Sequence, residues 1–268
     1  MLNTRNLLLG ALSLLVGQLA FSQKGTQTPY SAYGLGELNS EGYSVFSSMG
    51  GISMGNTDSA VVNSNNPASY SYIGRHMPVF QVGLNGRLST FSTSESETNQ
   101  RHFGLNQFQL GLPIKENWGA SIGVKPYSFT GYTITKYTVD DGDTTRQAVN
   151  EGSGGIRMAT LGLAYCPLNL VKEVTVEVAK RDTAGNKLKK PLKGQRISRL
   201  SIGANGQYLF GTSQQIRSVE FIPSTSTIFN ARVIDGLRVS GLSYQFGVNY
   251  QYGFQSLSMT KVFSVGAT

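Results

Sequence analysis

Apolar and polar residues alternate with a period of two in six stretches of the chain. In each stretch Leu, Ile, Val, Phe or Tyr is separated from the next apolar residue by Gln, Ser, Asn, Thr, Arg, Lys, Gly or Ala. The stretches lie at 80–88, 107–112, 118–125, 159–165, 199–208 and 242–251. This period is typical of strands with one apolar and one polar face. We therefore predict an all-β fold built from an antiparallel sheet.

The length of these stretches distinguishes between two kinds of sheet. Each predicted strand has about 10 residues, enough for a tilted strand to cross a bilayer, whereas strands of soluble sandwiches usually have ~5–6. The connection at 113–117 reads as a tight turn, and those at 92–101, 138–155 and 211–235 read as longer polar loops. Short turns on one side and long loops on the other are typical of an outer-membrane barrel. A soluble Gly-rich sandwich is the alternative.

The N-terminus has the three parts of a secretory signal. Arg5 precedes a mostly apolar run at 7–21, and Ala20-Phe21-Ser22 supplies small residues for cleavage. A spanning helix, the alternative, needs ~20 apolar residues, more than this run provides. We predict a signal peptide at 1–22 and a protein of the bacterial outer membrane. No later run is long enough for a spanning helix, so membrane insertion would require a closed barrel.

Two regions follow the signal peptide. Residues 23–77, rich in Gly, Ser, Asn and Met, are predicted to form a hatch that plugs the barrel, and residues 78–268 its N-terminal strands. Six full strands and the start of a seventh at Met259 are fewer than the eight or more, in even number, of single-chain barrels. We therefore expect the sequence to be part of a longer barrel.

Positive charge is concentrated in one segment. The formal net charge is +8, and residues 171–196 carry eight Lys or Arg residues against three acidic ones. We predict a hairpin there that turns at 184–186 and serves as a docking element for a periplasmic or secretion-system protein, with a merely solvated insertion as the alternative. Because no nucleic-acid-binding motif accompanies the charge, nucleic acid is not a predicted partner.

The sequence contains no recognisable catalytic or metal constellation. His76 and His102 have no acidic or Cys partner at ligand spacing. Asp140, Asp141 and Asp143 lack the later bidentate Glu of a calcium loop. We predict no enzyme activity, no catalytic residues, no metal and no cofactor.

Short motifs resemble the FadL/TodX family of outer-membrane transporters. They are Met49-Gly50-Gly51, Asn66-Pro67-Ala68 and the strand from Ser201 to Gly211. Asn followed by Pro is also a helix start, because Asn caps the helix and Pro fits its first turn, so a bare cap explains the local chemistry equally well.

The resemblance implies a specific mechanism. Members are expected to be 14-stranded transmembrane barrels with an N-terminal hatch, whose Asn-Pro-Ala segment faces a kink in the third strand. Here that segment is Asn66, Pro67 and Ala68, and Pro126 is the candidate kink in the strand that starts at Trp118. Together they would form a lateral gate that opens into membrane lipid. Pro126 marking only the end of its strand is the alternative.

The implied function is passive transport of hydrophobic small molecules, long-chain fatty acids or aromatic hydrocarbons, across the outer membrane. A ligand-capture loop is predicted from four apolar residues, Phe221, Ile222, Ile228 and Phe229. Packing of these residues on the barrel rim is an equal alternative. The second predicted function is that of a PorV/PorQ-like accessory barrel of the type 9 secretion system, which binds partner proteins.

Overall fold

A computed structural model describes residue 26 and residues 28–39, 44–92, 97–140, 144–181, 187–222, 230–255 and 260–268. The predicted signal peptide at 1–22 lies outside these residues and stays a prediction. All of the helices and strands described below lie within the described ranges.

The described residues form one antiparallel sheet that curls into a half-barrel. Seven long strands follow each other in chain order, each pairing with the next. The strands are β1 (Glu37–Leu38), β2 (Val79–Ser92), β3 (Glu97–Lys115), β4 (Trp118–Asp140), β5 (Thr144–Arg181), β6 (Lys187–Ile222), β7 (Ala231–Gln255) and β8 (Thr260–Ala267). The short β1 pairs with β4. The predicted all-β, antiparallel fold is confirmed.

Helical structure in the described residues is confined to single short turns. They are 3₁₀ turns at Pro29–Ala32 and Pro67–Tyr72 and an α-helical turn, α1, at Ser44–Ser47. None of the helices among the described residues has the length and apolar character needed to cross a membrane.

The two faces of the sheet differ in the way the alternation predicts. Phe80, Leu110, Ile122, Leu163, Ile202 and Phe246 share one face, because the cross-strand pairing places them in register. On this outward face Ile122 is 50% exposed and Phe246 71% exposed, whereas the adjacent Ser121 is only 1% exposed. No second sheet of the described residues covers the outward face. The predicted orientation is confirmed, and the soluble sandwich is wrong.

The strands are much longer than the alternating stretches. β4 has 23 residues, β5 has 38 and β6 has 36. The predicted loops at 92–101, 138–155 and 211–235 are therefore wrong for most of their length. Backbone hydrogen bonds, which any residue except Pro can donate, continue the pairing after the side-chain alternation has ended. The predicted tight turn is confirmed: Glu116 and Asn117 join β3 to β4, and Asn117 has a positive φ of 65°.

The basic segment forms an antiparallel hairpin, as predicted. β5 and β6 remain paired from Lys172 opposite Arg196 to Arg181 opposite Lys187. The predicted turn at 184–186 lies outside the described residues. This hairpin, residues 171–196, starts near the level of the short turn between β3 and β4, because Tyr165 is opposite Trp118. It therefore extends beyond the edge of the sheet.

The described residues before β2 lie against the polar face of the sheet. Pro67–Tyr72 contacts β4, β5, β6 and β7, and Pro29–Ala32 contacts β4. A small apolar cluster of Val62, Tyr70, Ile73 and Ala164 joins the two parts. Most other buried groups at this junction are Ser, Thr, Asn and Gln. We call residues 26–77 the inner segment.

Candidate functional site

The 3₁₀ turn at Pro67–Tyr72 begins with the cap that the sequence predicts. The Oδ1 atom of Asn66 accepts a hydrogen bond from the N–H of Ala68 at 3.1 Å, and Pro67 occupies the first helical position. The side-chain amide of Asn66 donates to the carbonyls of Met54 at 2.7 Å and Val248 at 3.2 Å. The same Asn therefore caps the turn and fastens it to β7.

Three glycines make room for this turn on three adjacent strands. A Cβ atom on Gly203 of β6 would lie 2.5 Å from the backbone carbon of Pro67. On Gly247 of β7 it would lie 2.3 Å from the Oδ1 of Asn66, and on Gly266 of β8 it would lie 1.8 Å from the carbonyl of Met54. Real Cβ atoms do not make such contacts. The Asn-Pro-Ala turn therefore docks on β6 to β8 because these residues lack side chains.

Tyr70 is a fully buried aromatic residue of the inner segment. It is 1% exposed, and its hydroxyl donates to the Oδ1 of Asn205 on β6 at 3.0 Å. The amide of Asn205 donates in turn to the carbonyl of Ser64 at 3.2 Å and to Gln245 at 3.0 Å. Burial raises the pKa of the Tyr70 hydroxyl well above its usual range, so it remains a neutral donor.

An ion pair anchors the start of the inner segment to β2. Arg87 donates to one carboxylate oxygen of Glu37, and the hydroxyl of Thr26 donates to the other at 2.8 Å. Burial by itself would raise the pKa of Glu37, but these hydrogen bonds and the charge of Arg87 outweigh it and lower the pKa. Glu37 is therefore ionised at neutral pH, and its ion pair with Arg87 links β1 to β2.

Pro126 interrupts β4 without ending it. The register of β4 against β5 shifts between Pro126 and Ser128, and pairing then continues to Asp140. The alternative that Pro126 marks the end of its strand is wrong. Asn39 of the inner segment supplies hydrogen bonds at this break: its side-chain amide donates to the carbonyl of Pro126 at 3.3 Å, and its N–H donates to that of Tyr127 at 2.9 Å.

The predicted pairing of the Asn-Pro-Ala turn with Pro126 is not the contact that forms. Asn66 and Pro67 contact β6, β7 and β8, whereas Pro126 lies on β4 and is hydrogen-bonded by Asn39. An open cavity of about 390 Å³ lies between them, with Asn65 and Pro126 in its lining. The position of the turn follows the glycines on β6 to β8, which the sequence reasoning did not connect with it.

Two of the four predicted ligand-capture residues, Phe221 and Ile222, lie in β6 and not in a loop. Phe221 is the next-to-last residue of β6 and is paired with Arg146 of β5. Its N–H donates to the Oδ1 of Asn230 at 3.1 Å. Ile222 is the last residue of β6, and Ile228 and Phe229 lie outside the described residues. The predicted loop at 211–235 is therefore wrong as a single unit, and Phe221 belongs to the sheet.

Sequence reasoning missed the residues that hold the inner segment. Gly203, Gly247, Asn205, Tyr70 and Asn39 were seen only as members of alternating or Gly-rich stretches. The available signal was the placement of Gly203 and Gly247 at inward positions of their strands, where Gly offers no side chain to pack and usually marks a close backbone approach. No cluster of three or more metal-ligating side chains occurs among the described residues.

Comparison with known proteins identifies the family. The family model of BamG matches residues 4–181, which are 178 of the 268 residues and include the inner segment and β2 to β5. No curated protein and no solved structure matches the chain.

The match corrects three predictions. The FadL/TodX resemblance is wrong, and so are both functions drawn from it, transport of hydrophobic molecules and a type 9 secretion accessory barrel. The short motifs were misleading because a capped turn on a Gly-lined sheet arises from packing and is not specific to transporters. The predicted location in the bacterial outer membrane is confirmed. The chain belongs to the BamG family.

Proposed function

We propose that the protein takes part in assembling other proteins into the bacterial outer membrane. Its membership of the BamG family supports this function. We further propose that the seven long strands belong to a transmembrane β-barrel whose outward face contacts lipid and whose inner segment acts as a plug. The count of fourteen strands is not carried over, because only the FadL/TodX resemblance implied it. The proposal assigns the protein no catalytic step and no cofactor.

The basic hairpin at 171–196 supports the proposal that the protein binds a protein partner. It continues the β5–β6 pair past the short turn between β3 and β4, so it extends beyond that edge of the sheet. Like charges occupy directly paired positions at Lys172 and Arg196, an arrangement that destabilises an isolated hairpin. An acidic partner surface would remove this cost. We therefore place the docking surface for an assembly partner on the hairpin.

A charge-reversal experiment tests this surface. In the full-length protein, Lys187, Lys189, Lys190 and Lys193 are each changed to Glu, and proteins cross-linked to it in cells are purified and identified. We expect recovery of the outer-membrane assembly machinery to fall at least fivefold, because the surface potential of the hairpin is inverted. The matched control reverses four exposed basic residues elsewhere, Arg101, Lys115, Lys136 and Arg232, and should leave recovery unchanged.

Different results would contradict the proposed assembly function and the proposed docking surface. If cells lacking the protein contain normal amounts of outer-membrane β-barrel proteins, the assembly function is wrong. If those amounts fall but the hairpin variant still recovers the machinery and restores them, the function stands and the partner binds elsewhere.

A further inference from the structure

A line of irregular backbone crosses three neighbouring strands beside Pro126. Next to the register shift of β4 lie Gly154 and Gly155 of β5 and Gly211 of β6. A Cβ atom on Gly155 would lie 2.5 Å from the carbonyl oxygen of Ser128, and one on Gly211 would lie 2.3 Å from that of Gly155. Gly154 has a φ of 121°, which a residue with a side chain rarely adopts. The strands therefore approach here in a way that only glycine permits.

This irregularity creates a depression in the outward face. Its volume is about 520 Å³, and it is open to solvent. Its lining includes Pro126, Phe129, Arg157, Tyr208, Phe210 and Arg238. Small residues, among them Ser153, Thr212 and Ser240, complete the lining. Arg157, Tyr208, Phe210 and Arg238 belong to the outward-facing set of their strands, because the pairing places them on the face of Leu242. Ser128 reaches the inner segment through its hydroxyl, which donates to the carbonyl of Leu35, but neither the Asn-Pro-Ala turn nor Tyr70 lines the depression.

The depression is positively charged and unneutralised within the described residues. Arg157 and Arg238 are exposed, no Asp or Glu lines the depression, and neither Arg makes an ion pair or hydrogen bond with a described residue. Arg157 is opposite Phe210 on β6, and Arg238 is opposite Thr212 two residues further along. Two strand spacings, roughly 10 Å, separate β5 from β7. Both long side chains can therefore reach one bound group.

The position of the depression along the strands points to the class of that group. It lies just past the exposed apolar residues Ile122 and Leu242 on the side away from the turn at 116–117. Beyond it the outward positions of β5 and β6 are mostly polar, although Ile234 of β7 is still exposed. The rings of Tyr208 and Phe210 stack at its border with centroids 5.9 Å apart. Aromatic side chains at the end of an apolar band mark the level of lipid headgroups in membrane barrels.

We propose that this depression binds the phosphate of an anionic membrane lipid. Guanidinium groups match phosphate oxygens with two parallel hydrogen bonds, and Arg157 and Arg238 provide two such groups at one level of the sheet. The acyl chains lie along the apolar face below Tyr208 and Leu242. The proposal rests on the proposed contact of this face with lipid, and it is independent of the hairpin as a partner site.

The test measures retained lipid directly. The full-length protein is purified in detergent, exposed to an equimolar mixture of phosphatidylglycerol and phosphatidylcholine, and examined by native mass spectrometry. We expect the wild type to retain phosphatidylglycerol preferentially. Because a basic residue near an anionic lipid surface contributes about fivefold in binding, Arg157→Gln and Arg238→Gln should each reduce retention by about that factor, and the double variant further.

Arg232→Gln is the matched control, because Arg232 is an exposed Arg on the same face of the same strand as Arg238, six residues away. It should retain lipid within twofold of the wild type. Equal retention by wild type and double variant overturns the proposal, and so does an equal loss in the control. Displacement of the lipid by millimolar inorganic phosphate would show a site for a free anion and also overturn it. Circular dichroism checks folding, and either single variant suffices if the double variant does not fold.

Discussion

At the scale of single residues, two features hold the inner segment: glycines that leave space for it, and side chains that form hydrogen bonds with it. Gly203 admits the backbone of Pro67, and Gly247 admits the side chain of Asn66. Tyr70 and Asn205 then join the two parts through buried hydrogen bonds. Side-chain volume and hydrogen bonding act on the same contact, so a single added methyl group should disturb it.

Gly203→Ala tests this packing. The new Cβ would meet backbone atoms of Pro67 that cannot rotate away, and overpacking of this kind usually costs about 1–3 kcal/mol. We expect the inner segment to be cleaved at least fivefold faster by a protease under native conditions. Gly206→Ala is the control, because a Cβ at Gly206 on the same strand meets its nearest atom at 3.9 Å. Equal cleavage rates in the two variants would contradict the close packing.

At the scale of elements, the 3₁₀ turn at Pro67–Tyr72 combines a local cap with long-range hydrogen bonds. The Oδ1 of Asn66 accepts a hydrogen bond within the turn, and the Nδ2 of the same side chain donates to the carbonyls of Met54 and Val248. A sequence contains the local signal, since Asn before Pro predicts a helix start. The long-range donation spans 182 residues and depends on where β7 runs.

Two substitutions at Asn66 separate these roles. Asn66→Asp keeps an oxygen for the Ala68 N–H but removes the donor to Met54 and Val248, whereas Asn66→Ala removes both. Loss of a cap costs about 0.5–2 kcal/mol, and loss of one hydrogen bond to a buried carbonyl costs about 0.5–1.5 kcal/mol. The Met54 carbonyl keeps a second donor, the side-chain amide of Asn249. We expect hydrogen exchange of the amides at 66–72 to be faster than in the wild type in both variants, because Asn66→Ala removes the cap and Asn66→Asp directs a buried carboxylate at the carbonyls of Met54 and Val248. If Asn66→Asp exchanges as slowly as the wild type, the bonds to β7 contribute nothing.

At the scale of the whole molecule, one face of the sheet is apolar and exposed while the other is polar and covered. Phe246 is 71% exposed, yet Asn205 and Asn249 are at most 1% exposed. This distribution is the reverse of that in a soluble protein, in which large apolar patches are rarely left exposed. It agrees with the confirmed outer-membrane location and leads to a prediction that depends on depth.

A charge placed at two depths on the outward face should have unequal effects. Ile122→Arg lies within the row of exposed apolar residues, and Tyr137→Arg lies near the far end of the same strand on the same face. The first should cost about 2–4 kcal/mol in the free energy of folding into lipid vesicles, and the second about 0–1 kcal/mol. Urea titrations in vesicles measure both. Equal costs would contradict contact between this face and a bilayer.

The strand pattern was predictable because side-chain alternation is a local property. The period of two identified six strands, and it assigned Ile122, Ile202 and Phe246 to the outward face. Strand ends were not predictable, since the outer parts of β5 and β6 pair through mostly polar and charged residues. The alternation of Val174, Val176 and Val178 in the basic hairpin is too short to give the extent of either strand. Backbone hydrogen bonding decides those ends, and it leaves no periodic signal in side chains.

The family and the candidate site were also only partly predictable from the sequence. Asn66 and Pro67 correctly predicted a capped turn, but their short motif led to the wrong family and to a gate with Pro126. Agreement over residues 4–181 was needed to identify BamG.

The sequence by itself determined which strand residues lie on the apolar and on the polar face, where the chain turns between β3 and β4, and that the turn at 67–72 begins with a cap. Only the tertiary structure decided that this turn docks on Gly203, Gly247 and Gly266, that Asn39 lies at Pro126, and that Arg157 and Arg238 border one depression. The physical reason is register. Alternation specifies the face on which each side chain lies, whereas hydrogen-bond pairing between strands far apart in the chain specifies its neighbours.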